Sequence, residues 1–235
     1  MDKKWKQALA AAYRAPEPAG KAAFLKRHRR RELGRRELAA VQVRYIRWWV
    51  WGASLALFGA VLWMAAPAKG VGAWHAAAFT PFLALLAVME NGRSQVYRME
   101  ELELACRVAR HSVILARMVT LGLFHLALLA ALTPPLSAWG GAGALGTGVY
   151  LLTPYLLTAA LGMELTRRVR GWECLPVCGG AAVLVSALGV FLANFRPGLY
   201  RPERLPLWGA ALALAAFAAG AEITLNAKER ELQWN

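Results

Sequence analysis

Residues 46–66 read Ile-Arg-Trp-Trp-Val-Trp-Gly-Ala-Ser-Leu-Ala-Leu-Phe-Gly-Ala-Val-Leu-Trp-Met-Ala-Ala, and after Arg47 no charge interrupts them. At ~1.5 Å of rise per residue such a run crosses the ~30 Å hydrocarbon core of a bilayer. It lacks the polar stripe that a helix of a water-soluble domain presents to solvent. Lipid supplies no hydrogen bonds to the backbone, so the run has to be a helix. Five further segments follow the same logic: Val71–Met89, Val113–Leu132, Leu145–Met163, Leu175–Ala193 and Leu205–Leu225. None alternates with period two, so a transmembrane barrel is not expected. Pro81 and Pro154 fall inside two of the segments and predict kinks there.

The whole composition agrees. Of 235 residues, 58% are hydrophobic and 18% charged, with a mean hydropathy of +0.36; a soluble domain of this size needs more polar surface. The expected architecture is therefore all-α and polytopic, with six spans in one transmembrane unit over residues 33–235. Ahead of it stands a basic arm over residues 1–32. More than forty residues precede the first apolar run, which is not how a signal peptide is built. Trp48, Trp49, Trp51, Trp63, Trp74, Trp139, Trp172 and Trp208 fall at or near the ends of the runs, as an interfacial aromatic belt requires.

Lysine and arginine set the orientation. With the N-terminus inside, the inner pieces hold fourteen, five, three and two of the 28 basic residues, 24 in all; the outer pieces hold Lys69, Arg196, Arg201 and Arg204. The positive-inside rule then puts both termini in the cytoplasm of a bacterial-type plasma membrane. The formal net charge of +14 points to anionic lipid, at about 1 kcal/mol per basic residue near the surface. It does not point to nucleic acid, because the arm, with Lys26-Arg27-His28-Arg29-Arg30-Arg31 after a Pro-rich break, lacks the interleaved aromatics of a single-strand binder.

Two pieces outside the spans carry a pattern. Over residues 33–49, Leu38, Val41, Tyr45, Trp48 and Trp49 share one helical face and Arg36, Arg44 and Arg47 the opposite one. This predicts an interfacial helix on the inner leaflet that runs straight into the first span. Between spans two and three, Asn91-Gly92-Arg93-Ser94 reads as a stop, with Ser94 as the N-cap of a short amphipathic helix Gln95–Arg110. On that helix Met99, Leu102, Cys106 and Ala109 form a stripe, and Glu100, Glu103 and Arg107 lie elsewhere on its surface.

Candidate chemistry is sparse. His125 stands mid-way along the third span, where an ionisable group is costly. It reads either as a neutral imidazole bonded to a neighbouring helix or as part of a polar path. Glu90, Glu164 and Glu222 lie near inner ends, where solvation at headgroup level accounts for them. Cys174 and Cys178 sit four apart with no histidine or further cysteine nearby in sequence, so no metal site is expected. The chain has no G-x-x-x-x-G-K-[ST] loop, no H-E-x-x-H and no G-x-S-x-G. It is not expected to be an enzyme or to hold a cofactor.

The run Glu101-Leu102-Glu103-Leu104-Ala105-Cys106-Arg107, followed by Ser112-Val113-Ile114-Leu115-Ala116-Arg117, resembles the junction of spans two and three in ABC-2-type transporter permeases. The wider layout is similar over residues 33–225: six spans, both termini inside, and an interfacial helix before the first. The Gly-Thr pair usual before the leucine-rich segment is missing, as is the proline that commonly follows it. The resemblance implies a dimeric translocation path, completed by a second copy or a paralogue and driven by a separate ABC ATPase subunit. It also implies that the ATPase grips a coupling helix, here Met99, Glu100, Leu102, Glu103, Cys106 and Arg107. Two other functions fit the same layout: a membrane-anchored, anti-sigma-like regulator whose arm binds a cytoplasmic partner, and a non-transporting scaffold within a larger complex.

Overall fold

The computed structural model describes Trp5, Gly20 and residues 40–41, 43–65, 76–96, 110–140, 143–169 and 171–232. Among them there is no strand, and six long helices follow in order: α1 (Trp48–Ala65), α2 (Thr80–Val96), α3 (Arg110–Gly140), α4 (Gly143–Arg168), α5 (Cys174–Phe195) and α6 (Leu205–Leu232). Short 3₁₀ turns at Gly171–Glu173, Pro197–Tyr200 and Pro202–Arg204 lead into α5 and α6. The fold is an all-α polytopic membrane bundle. Five of the helices are long and apolar enough to cross a membrane.

The sixth, α2, has only 17 residues and carries Glu90, Asn91 and Arg93 near its end. Its place in the bundle explains that composition. It packs against α1, α3, α4 and α5, while α4 packs against α2, α3, α5 and α6. The pair α2–α4 thus forms the centre, with α1 on one flank and α6 on the other. At the crossing of the central pair a Cβ on Gly162 would come within 2.8 Å of the Val88 side chain, so only glycine permits this approach.

Burial is inverted relative to a soluble protein. Leu123, Leu184, Leu214, Phe217 and Trp63 are exposed, whereas Ser54, His125, Thr147 and Thr158 are buried. Apolar side chains face outward because the surroundings are hydrocarbon, and polar ones turn inward where partners exist.

Several boundaries differ from the sequence reading. The first span begins at Trp48, and Ile46 and Arg47 form a bend between it and the helical residues 43–45, so the preceding segment does not run straight in. Ile46 is buried with Val50 and Leu121, which anchors the chain at the bend. Pro81 does not kink a span. It stands at the second position of α2, where its missing N–H costs nothing, and the carbonyl of Ala77 that it leaves without a helical donor accepts the Thr80 hydroxyl at 2.9 Å. The same device operates in α3, which continues beyond Leu132 through Pro134 and Pro135 to Gly140. There the Thr133 hydroxyl donates to Ala130 O at 2.7 Å, the carbonyl that Pro134 cannot reach. Pro154 does lie inside α4.

The expected stop at Asn91–Ser94 is overridden as well, since α2 runs through it to Val96. Gln95 therefore belongs to α2 and Arg110 opens α3, not the two ends of a separate helix.

Candidate functional site

The residues assigned to the coupling segment, Met99, Glu100, Leu102, Glu103, Cys106 and Arg107, lie outside the described residues, as does Trp74. What is described is the frame on both sides: the end of α2 and the start of α3.

That frame is held by buried charge. Glu90 is 3% exposed, not solvated at headgroup level, and its carboxylate accepts Arg93 Nη1 at 2.9 Å. Arg117, on α3 and 1% exposed, donates through Nη1 to the backbone carbonyl of Glu90 at 3.1 Å. The guanidinium carbons of Arg93 and Arg117 lie 4.9 and 5.0 Å from the centre of the Tyr45 ring. Cations over an aromatic face are attracted to its negative quadrupole. One residue before the bend is thereby tied to both helices that border residues 97–109. At the same end of the bundle Glu164 pairs with Arg167 and Arg168 on α4, and Arg167 reaches Glu222 of α6 at 3.5 Å.

His125 sits mid-bundle with no exposed surface. Its Nε2 lies 3.0 Å from Ser54 Oγ on α1, and its Nδ1 lies 3.2 Å from the Tyr155 hydroxyl on α4. Ser54 spends its one proton on Val50 O at 2.9 Å, so its oxygen must accept from Nε2–H. A neutral ring then leaves Nδ1 to accept from Tyr155 O–H. The result is a directional chain, Tyr155 to His125 to Ser54 to the Val50 carbonyl, spanning three helices. Sequence spacing marked His125 but neither partner.

The thiols of Cys174 and Cys178 lie 3.7 Å apart, both buried, with Cys178 also 3.8 Å from Gly162 O. Among the described residues no group of three or more His, Cys, Asp or Glu side chains is placed to hold a metal ion.

A cavity of about 240 Å³ opens where the ends of α2 and α4 meet the start of α5, beside the bend before α1. Arg47, Trp49, Arg93 and Trp172 line it together with Leu86, Val88 and Cys178. These residues are scattered over the chain, so no local motif announces the cavity. At the opposite end of the bundle, Tyr150, Tyr200 and Trp208 pack with ring centres 5.2–5.5 Å apart. Tyr150 Oη donates to Tyr200 O at 3.1 Å and Trp208 Nε1 to Leu199 O at 2.9 Å. Trp208 thus fastens the α5–α6 link, whereas Trp48, Trp63 and Trp172 remain exposed as belt residues.

Comparison of the chain with family models, with curated proteins and with solved structures finds no match.

Proposed function

We propose that this chain is the transmembrane subunit of an ABC-2-like transporter. It works as a pair, with a second copy or a paralogue, and ATP is hydrolysed by ABC ATPase subunits in trans. Both termini and the segment between α2 and α3 face the cytoplasm. The observation that best supports this reading is the tie of Tyr45, Glu90, Arg93 and Arg117. Residues 97–109 carry the leucine-rich acidic run, and the elements bordering them are clamped to each other and to the segment before α1. A push on that run is passed to three elements together, which is what a coupling segment requires. The contacts between elements are the Arg117 hydrogen bond to the Glu90 carbonyl and the two guanidiniums over the Tyr45 ring, and the Glu90–Arg93 pair within α2 holds one of those guanidiniums in place.

The test is purification of the full chain from cells expressing its candidate ATPase, with the ATPase identified and its stoichiometry measured. The reading expects an ATPase retained at about one per chain. ATP turnover by the chain alone would overturn it. Orientation is checked separately: a cysteine introduced at Ala142 is expected to react with an impermeant reagent from outside the cell, and one at Ala19 is not.

A further inference from the structure

Nothing in the transport reading uses the cysteine pair at the start of α5. Cys174 and Cys178, 8% and 2% exposed, stand one turn apart on that helix, and both line the cavity beside the bend. The cavity gives a small ion a way to two thiols that the outer surface hides. Neither thiol is in a disulfide. Residues four apart on a helix hold their Cβ atoms about 5–6 Å apart, wider than the ~3.5–4.5 Å that a disulfide uses. A single atom placed between the sulfurs bridges the pair without unwinding the helix. The sulfurs are 3.7 Å apart, and two thiolates held at ~2.3 Å from one tetrahedral centre stand about 3.8 Å apart. Gly162 O of α4 is 3.8 Å from Cys178 Sγ, close to the ~3.6 Å expected between a sulfur and an oxygen on the same centre. Two thiolates also balance a dication, and a neutral unit is what the neighbouring Leu86 and Val88 tolerate. Soft sulfur ligands select a thiophilic ion over Mg²⁺ or Ca²⁺.

We propose that Cys174 and Cys178 bind one thiophilic divalent cation of the zinc class, with Gly162 O and a water in the cavity completing a tetrahedral site. Binding breaks both S–H bonds and forms two sulfur–metal bonds, and the two protons leave to solvent through the cavity. The site involves no ATPase contact, so it stands or falls apart from the transport reading.

The test uses the full chain in detergent with Cys106→Ser, so that this pair holds its only thiols. Titration with Cd²⁺, a spectroscopic stand-in for Zn²⁺, is expected to raise a thiolate-to-metal charge-transfer band. The band should saturate at one ion per chain, with two protons released per ion and bound Zn²⁺ displaced one for one. Cys174→Ser and Cys178→Ser, added singly, are each expected to weaken Zn²⁺ binding by about a hundredfold or more. Thermal unfolding of the metal-free variants checks that the bundle is intact. Cd²⁺ that raises no band in the chain with both thiols would overturn the proposal whatever the variants do. Zn²⁺ held equally by the variants would overturn it in favour of a surface site. Saturation at one ion per two chains would overturn it in favour of a bridge between copies.

Discussion

The two ends of the bundle are fastened by different physics. At the end where α1 begins, Glu90, Arg93, Arg117 and Tyr45 join three elements through charge, and Glu164, Arg167 and Glu222 join α4 to α6 in the same way. At the other end Tyr150, Tyr200 and Trp208 close the α5–α6 link with rings packed edge-to-face or tilted and two hydrogen bonds to backbone carbonyls. Charged and hydrogen-bonded contacts have discrete partners, and a side chain that offers a rival charge competes with them. An aromatic cluster offers no such handle. The difference suits a molecule worked from one end and held shut at the other.

Breaking the ionic end should have the largest effect. Glu90→Leu leaves Arg93 without its buried carboxylate, while Arg117 keeps the backbone carbonyl, and is expected to cost about 3–5 kcal/mol, read as thermal unfolding in detergent. A change below 1 kcal/mol would mean that water already reaches the charges. Next is the central crossing that both ends share. Gly162→Val forces the Val88 side chain aside and is expected to cost about 1–3 kcal/mol, with much of the loss restored by Val88→Ala in the same chain. No restoration would place the strain elsewhere.

Trp208→Phe keeps an aromatic ring in the cluster but removes the N–H donated to Leu199 O, and about 1 kcal/mol is expected to go. That loss should be the same at low and high salt, which distinguishes it from a change at the partly exposed Arg167–Glu222 pair. The smallest effects are expected from Tyr155→Phe, which ends the donation to His125 and averages about 0.6 kcal/mol in comparable membrane interiors, and from Glu222→Gln. The Arg167–Glu222 pair is long and partly exposed, so it contributes under about 1 kcal/mol and should vanish in salt.

Hydrophobicity alone made the six apolar segments legible, because lipid imposes a composition on whatever faces it. It erred where protein, not lipid, is the surrounding. α2 starts at Thr80 instead of Val71 and ignores the stop at Asn91–Ser94. Gly92 packs there against Thr166, and Arg117 from another helix takes the Glu90 carbonyl. The glutamate was read as solvated for the same reason: Arg93 lies one turn on in the same helix, but Arg117, which helps to bury this end of α2, comes from α3. His125 stood out in sequence by its cost in an apolar run. Its partners Ser54 and Tyr155, 71 and 30 residues away, could be found only in three dimensions. The cavity beside the bend had no sequence signal, because Arg47, Arg93 and Trp172 meet only through folding.

The central claim is that force enters at the ionic end through residues 97–109. Its most direct test is the double variant Glu100→Lys with Glu103→Lys, assayed for bound ATPase beside the wild-type chain. The account predicts normal insertion and unchanged thermal unfolding of the bundle, with loss of the ATPase, since like charges across a docking surface cost several kcal/mol. An ATPase that stays bound to the double variant as it does to the wild type would contradict it.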